Sequence, residues 1–154
     1  MRRIEMIVGA GALVCVLIQL IPMSGSNPPI TRDVGAPPQV DSILRRGCYN
    51  CHSNETRWPW YSHVAPVSWL VIRDVERGRR HVNFSTWDKY AEDPETLISK
   101  LKNIRRFSDN GRMPPWCYVR AHSEARLSYG DREVLENWAS QAITTEEKRE
   151  KSQP

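Results

Sequence analysis

Two thiols and an imidazole fall within five positions at Cys48-Tyr49-Asn50-Cys51-His52, inside the run G-C-Y-N-C-H-S-N-E-T-R-W-P-W-Y that spans residues 47 to 61. On a helical turn, residues three apart share a face. Cys48 and Cys51 can therefore both reach the vinyl groups of one macrocycle and close two thioethers, and His52, adjoining the second cysteine, is then held beneath the metal as its proximal ligand. The chemistry this spacing specifies is covalent attachment of one haem c. Other uses of C-x-x-C fit less well. A redox dithiol calls for a thioredoxin-like βαβ setting, and no strand pattern is present. A structural zinc site needs four ligands, whereas His63, His81, Cys117 and His122 are scattered without ligand spacing. A structural Cys48–Cys51 disulfide ranks below both.

Haem iron has a second axial position. Outside the apolar leader and Met23 at its edge, Met113 is the single methionine, in the irregular stretch G-R-M-P-P-W. It lies on no periodic apolar face, which argues against a core filler, and Pro114 and Pro115 stiffen the loop that would hold its sulfur. Met113 is the expected distal ligand, with His81, His63 and His122 as alternatives because imidazole is the other common strong-field ligand. Six Trp and five Tyr stand against two Phe, a balance that suits places where an apolar ring is buried and its N–H or O–H meets a polar partner. Trp58, Trp60 and Tyr61 are expected to wall the haem pocket, Trp116 to offer its indole N–H to a propionate, and Arg57 to pair with one; ordinary core packing is the competing reading for each ring. Cys117, without a partner once haem is attached, reads as a small buried hydrophobe, with a free thiol as the alternative.

Helices must position these groups. Val40, Ile43, Leu44 and Gly47 follow helical spacing into the cysteines, and residues 53 to 65 then read as an aromatic-rich loop. A second helix is predicted from Pro66 to about Arg77, stopped by Gly78, with Trp69, Leu70 and Ile72 to Val75 on its buried side. Ser85 is expected to cap a short piece around Trp87 to Tyr90. Asp93-Pro94-Glu95 starts a helix with Leu97, Ile98, Leu101 and Ile104 on one face, ending before the turn sequence Asp109-Asn110-Gly111. Ser128, with Asp131 three residues later, opens a last helix carrying Val134, Leu135, Trp138, Ala139 and Ala142. The arginine-rich stretches 73 to 81 and 100 to 106 read mostly as solvated faces. The fold class expected is all-α, with a haem-binding domain over 39–143 and a charged tail over 144–154 that frays.

The first 23 residues begin with Arg2 and Arg3 and continue as an apolar run from Met6 to Met23, interrupted by Gln19. This is an export signal, long enough to serve as an uncleaved membrane anchor, with Ser24-Gly25-Ser26 offering a cleavage site as the alternative. Cys15 within it is a small lipid-facing hydrophobe rather than a lipid attachment point. Positive-inside bias keeps the arginines cytoplasmic and places the domain on the periplasmic side. Four prolines and two glycines over 24–38 read as a tether. With 154 residues in all, one compact domain remains. The net charge of +4 suits an acidic redox partner or anionic headgroups, and export argues against nucleic acid.

Residues 40 to about 139 resemble the small haem-binding domain family of bacterial c-type cytochromes. The resemblance is carried by C-Y-N-C-H-S-N-E-T-R-W-P-W-Y-S at 48–62, A-P-V-S-W-L at 65–70, N-F-S-T-W at 83–87, M-P-P-W at 113–116 and A-R-L-S at 125–128. More broadly, an early C-x-x-C-H, a downstream M-P and a closing helix are similar to class I cytochrome c. The resemblance implies an all-α fold whose first and last helices pack beside one covalent haem, with Cys48 and Cys51 as thioether positions, His52 proximal and Met113 distal. The resemblance covers none of the leader or tether and bears on fold and haem more than on pathway; with the export signal added, the expected function is a membrane-tethered monohaem electron carrier that makes no bond in a substrate. A haem-based sensor or peroxidase-like module with a labile sixth ligand, and a haem-bearing subunit of a respiratory complex, are the alternatives.

Overall fold

Where a carboxylate precedes a proline the chain turns into a helix. Asp93 accepts from the backbone N–H of Glu95 and Thr96 at 3.3 and 3.2 Å, satisfying donors that the first helical turn leaves without partners. Pro94, whose missing N–H costs nothing at that position, begins a helix to Asp109. It is one of eight helices in the computed structural model, which describes residues 2–21 and 23–152. In chain order they are α1 (Arg2–Leu17, prolonged by a 3₁₀ turn Ile18–Leu20), α2 (Pro38–Gly47), α3 (Tyr49–His52), α4 (Val67–His81), α5 (Asp88–Ala91), α6 (Pro94–Asp109), α7 (Trp116–Ala121) and α8 (Tyr129–Ser152). The fold is all-helical; the only β feature among the described residues is an isolated bridge between Arg32 and Thr86.

The core forms where the apolar stripes of α2, α6 and α8 meet. Val40, Ile43 and Leu44 of α2, Leu97, Ile98 and Leu101 of α6, and Leu135 and Ile143 of α8 belong to one buried cluster. Tyr49, Phe84 and Trp87 extend it as a stack with centroids 5.2 and 6.0 Å apart, which ties the cysteine turn to the segment following α4. At the start of α8, Ser128 Oγ accepts from the Asp131 N–H at 3.1 Å while the Asp131 carboxylate accepts from the Ser128 N–H at 2.8 Å, a reciprocal capping box. Arg46 of α2 pairs with the same carboxylate at 3.0 Å and joins the first domain helix to the last.

Four expectations change. Gly78 does not stop α4, which continues to His81; Ile72, Val75 and Gly78 are buried while Leu70 is exposed. Ser85 does not cap α5: its Oγ accepts from the Asn54 N–H at 2.9 Å. The charged tail expected over 144–154 is helical where it is described, α8 continuing to Ser152 with Arg149 paired to Glu146 one turn earlier; residues 153 and 154 lie outside the described residues. The tether is no free linker. Although it forms no helix, it lies along the domain as a strap: Thr31 N–H donates to the Ser85 carbonyl, Asn54 Nδ2 to the Pro29 carbonyl, and Tyr49 Oη to Asp33.

Candidate functional site

Helix α2 ends at Gly47, and the Cys48 N–H still bonds to the Leu44 carbonyl at 2.7 Å. Cys51 and His52 N–H groups then both bond to the Cys48 carbonyl, at 3.1 and 2.9 Å. This single turn, α3, brings both thiols and the imidazole to the wall of one cavity of about 440 Å³, within the size range of cofactor pockets. Helix α4 lies directly against the turn. A Cβ on Gly78 would overlap the carbonyl oxygen of Cys51, so glycine here is a condition of close approach rather than a helix terminator.

The ring of His52 is oriented by the chain after α4. Its Nδ1 lies 3.1 Å from the Val82 carbonyl oxygen. A carbonyl can only accept, so Nδ1 carries the proton and Nε2 is left with a bare lone pair, the tautomer that ligates metals. Burial holds the imidazole below its ordinary range, against the opposing pull of the Val82 and Gly78 carbonyls, which keeps it neutral. Cys48 and Cys51 are not joined to each other. Burial pushes their thiols up to about 12 and about 11, with the neighbouring Cys51 adding to the first and Asp74 to the second.

Met113 arrives from the other direction. After α6 the chain reverses at Gly111, whose φ of +69° favours glycine. The Asn110 side chain accepts from the Arg112 N–H, and the Met113 N–H returns to the Phe107 carbonyl at 3.0 Å. Met113, Pro114 and Pro115 thereby form one wall of the same cavity. Ile104 and Phe107 of α6 and Val82 and Phe84 after α4 add apolar surface. The polar part of the lining comes chiefly from Asp74, Arg77 and His81 on α4 and from Lys100, Asn103 and Ser108 on α6. Lys100 Nζ donates to the His81 carbonyl at 2.7 Å. The described residues hold no separate cluster of three or more His, Cys, Asp or Glu side chains suited to a metal ion.

The expected aromatic wall is elsewhere. None of Arg57, Trp58, Trp60, Tyr61 or Trp116 lines this cavity, and Trp60 and Trp116 are 78% and 77% exposed. The reason lies in Asn50, whose carbonyl accepts from Thr56 Oγ1 and whose Oδ1 accepts from the Arg57 N–H, holding the aromatic loop against the Asn50 side of α3. Trp58 donates to Asn27 of the strap and packs where Gly25 has no side chain. Tyr61 Oη bonds to His122 Nε2 at 2.9 Å, and Trp116 borders a shallower depression on the far side of Met113. Of the alternative ligands, His63 is exposed and His122 is engaged with Tyr61, while His81 reaches the cavity from beside Val82, next to His52. Cys117, expected to be buried, is exposed.

Arg77 and Lys100 are cavity residues that the sequence reading assigned to solvated faces. The missed signal is helical register. Asp74, Arg77, Gly78 and His81 fall on one face of α4, and Lys100, Asn103, Ile104 and Phe107 on one face of α6. A family model described as a haem-binding domain matches residues 13–141. Neither a curated protein nor a solved structure matches the chain.

Proposed function

We propose that this chain, which belongs to the haem-binding domain family, is a membrane-tethered c-type cytochrome carrying single electrons on the periplasmic side. The observation that carries this reading is the convergence of Cys48, Cys51, His52 and Met113, from two separate segments, on one cavity with a largely apolar wall. The residues fit the group. Cys48 and Cys51 would form the thioethers, His52 would use its bare Nε2 as proximal ligand, and Met113 would supply the distal thioether. Haem c, once bound, supplies an iron that cycles between ferric and ferrous states. Everything else falls to the chain. Burial favours the neutral form of His52 while the Val82 carbonyl aims its ring, and Ile104, Phe107 and Phe84 limit water at the site. Arg77 and Lys100, which line the cavity, would offer cations to the propionates, in place of the Arg57 and Trp116 expected from sequence. Helix α1 is the retained anchor in this reading; over Arg2–Leu20 it is long and apolar enough to cross a membrane.

His81 also lines the cavity, from the end of α4 next to Val82, the residue whose carbonyl meets His52 Nδ1, so in this reading it would sit nearer the proximal ligand than the distal one. Met113 lines the cavity from a separate segment, the loop after α6, and would be the distal ligand. Absorption spectroscopy on the purified protein tests the assignment. The expected result is a six-coordinate low-spin spectrum, the weak near-infrared band of methionine ligation in the oxidised state, and slow or absent carbon monoxide binding. A five-coordinate iron that binds carbon monoxide readily would support a sensor or peroxidase-like module instead. Co-purification with oxidase or dehydrogenase subunits after gentle solubilisation would favour a respiratory subunit.

A further inference from the structure

We propose that the exposed apolar segment around the start of α4 is a membrane-contact face, seated on the interfacial layer of an anionic bilayer at the foot of α1; this rests on the reading above in taking α1 as retained. The argument begins with Gln19, in the 3₁₀ turn that ends the apolar helix. Its Nε2 donates to the Ala65 carbonyl at 3.0 Å, and the Ala65 N–H donates to its Oε1 at 3.0 Å. The side-chain amide thereby imitates a paired peptide group, and it fixes the last turn of the leader against the loop entering α4.

That pin sets a height. Arg2–Leu20 contains 19 residues with none buried, and at 1.5 Å per residue such a helix is about 28 Å long, close to the roughly 30 Å hydrocarbon thickness of a bilayer. A spanning helix held at position 19 sets Ala65 at the hydrocarbon boundary. Around Ala65 the domain exposes Trp60, Val64, Val67 and Leu70, the last at 53%. Tryptophan is favoured at headgroup level, and each aliphatic side chain gains by leaving water. Arg57 and Arg73, exposed on the flanking segments, carry the sign that anionic headgroups attract. A lipid surface thus matches position, polarity and charge together.

The test uses the full haem-loaded chain in nanodiscs of phosphatidylcholine and phosphatidylglycerol, one chain per disc. Cys15→Ser and Cys117→Ser remove the exposed thiols, and a nitroxide is placed through Val67→Cys or Leu70→Cys, with Lys148→Cys on α8 as the control. The labels at 67 and 70 are expected to show high oxygen access and several-fold lower access to a water-soluble nickel chelate than the label at 148. Gln19→Ala should raise nickel access at 67 and leave 148 unchanged. Equal nickel access at all three positions overturns the proposal. So does spin–spin broadening at 67 on adding more chain per disc, which would give the face to a second copy, and so does a mature mass lacking residues 1–20. The double variant Cys15→Ser with Cys117→Ser, carrying no introduced cysteine, separates the two readings: nitroxide uptake there means that Cys48 and Cys51 are not thioethers, whatever the depth measurements show.

Discussion

Met113 and His81 reach one cavity, and a single substitution at each distinguishes them. Met113→Ala is expected to open the sixth position, giving a high-spin component and rapid carbon monoxide binding, while Met113→His keeps six coordination at a lower potential. His81→Ala should leave the oxidised spectrum unchanged. If His81→Ala removed the low-spin signature and Met113→Ala did not, the two roles would be reversed. The cations make a second prediction at this scale. Arg77 and Lys100 line the cavity, where oxidation of the proposed haem would add a positive charge, so removing them should favour the ferric state. At an effective dielectric of about 20 and a separation on the order of 10 Å, each charge shifts the balance by at most roughly 1.7 kcal/mol, less where solvent screens it. Arg77→Gln with Lys100→Gln should lower the midpoint potential in a potentiometric titration, with haem content retained; an unchanged potential would remove both from the site.

Helices hold these residues in place by contacts that sequence periodicity only partly encodes. The packing of α4 on α3 depends on Gly78, where a methyl group would meet the Cys51 backbone rather than a side chain that can rotate away. Gly78→Ala is expected to cost about 1–3 kcal/mol and to reduce haem incorporation. Gly130→Ala, whose added methyl meets only Ser128 Oγ at 3.9 Å, should be harmless by the same denaturation measurement. At the start of α8, burial works to raise the Asp131 carboxyl, but hydrogen bonds from Ser128 and Arg46 outweigh it and hold the group below the usual carboxylate range. A depressed folded value means that the stabilisation is fully present above about pH 4 and is lost as pH falls through the folded value. Asp131→Asn should flatten that acid limb in a chemical-denaturation series, whereas Ser128→Ala, which removes the cap acceptor, costs about 1 kcal/mol. The capping box, the Asp93-Pro94 start and the buried faces of α2 and α6 were legible because each is a local pattern. Gly78 was misread because a glycine near a helix end looks the same whether it stops a helix or lets one lie flat on a neighbour. The aromatic loop was misplaced for a related reason: adjacency to C-x-x-C-H gives no sign of which side of α3 the chain will take, and Asn50 decides that through contacts with Thr56 and Arg57.

Across the whole molecule, the strap formed by residues 24–37 connects the leader, the cysteine turn and α4. Proline-rich and aperiodic, it carries the composition of a flexible linker, and its order comes from bonds that composition does not reveal. Arg79 gathers them. Its Nε donates to the Ser53 carbonyl at 2.8 Å, one terminal nitrogen to the Ser26 carbonyl at 2.7 Å, and the other to Asn27 Oδ1 and Thr56 Oγ1 at 3.0 and 2.9 Å. One guanidinium on α4 thus holds the strap, the residue after C-x-x-C-H and the aromatic loop together. Its planar fork can serve several acceptors at fixed angles, which a lysine ammonium on a flexible stem cannot reproduce. Hydrogen bonds to a charged group contribute more than neutral ones, and acceptors left without a donor add their own cost. Arg79→Ala is therefore expected to destabilise the holoprotein by roughly 2–3 kcal/mol, with Arg79→Lys recovering only part of it. The same substitution should expose the strap to limited proteolysis between residues 24 and 37 while the haem spectrum is retained, because no haem-pocket residue is altered. A strap that stayed resistant in Arg79→Ala would show that Thr31, Asn54 and Tyr49 hold it without the guanidinium, and that the leader is coupled to the domain chiefly through Gln19 and Ala65.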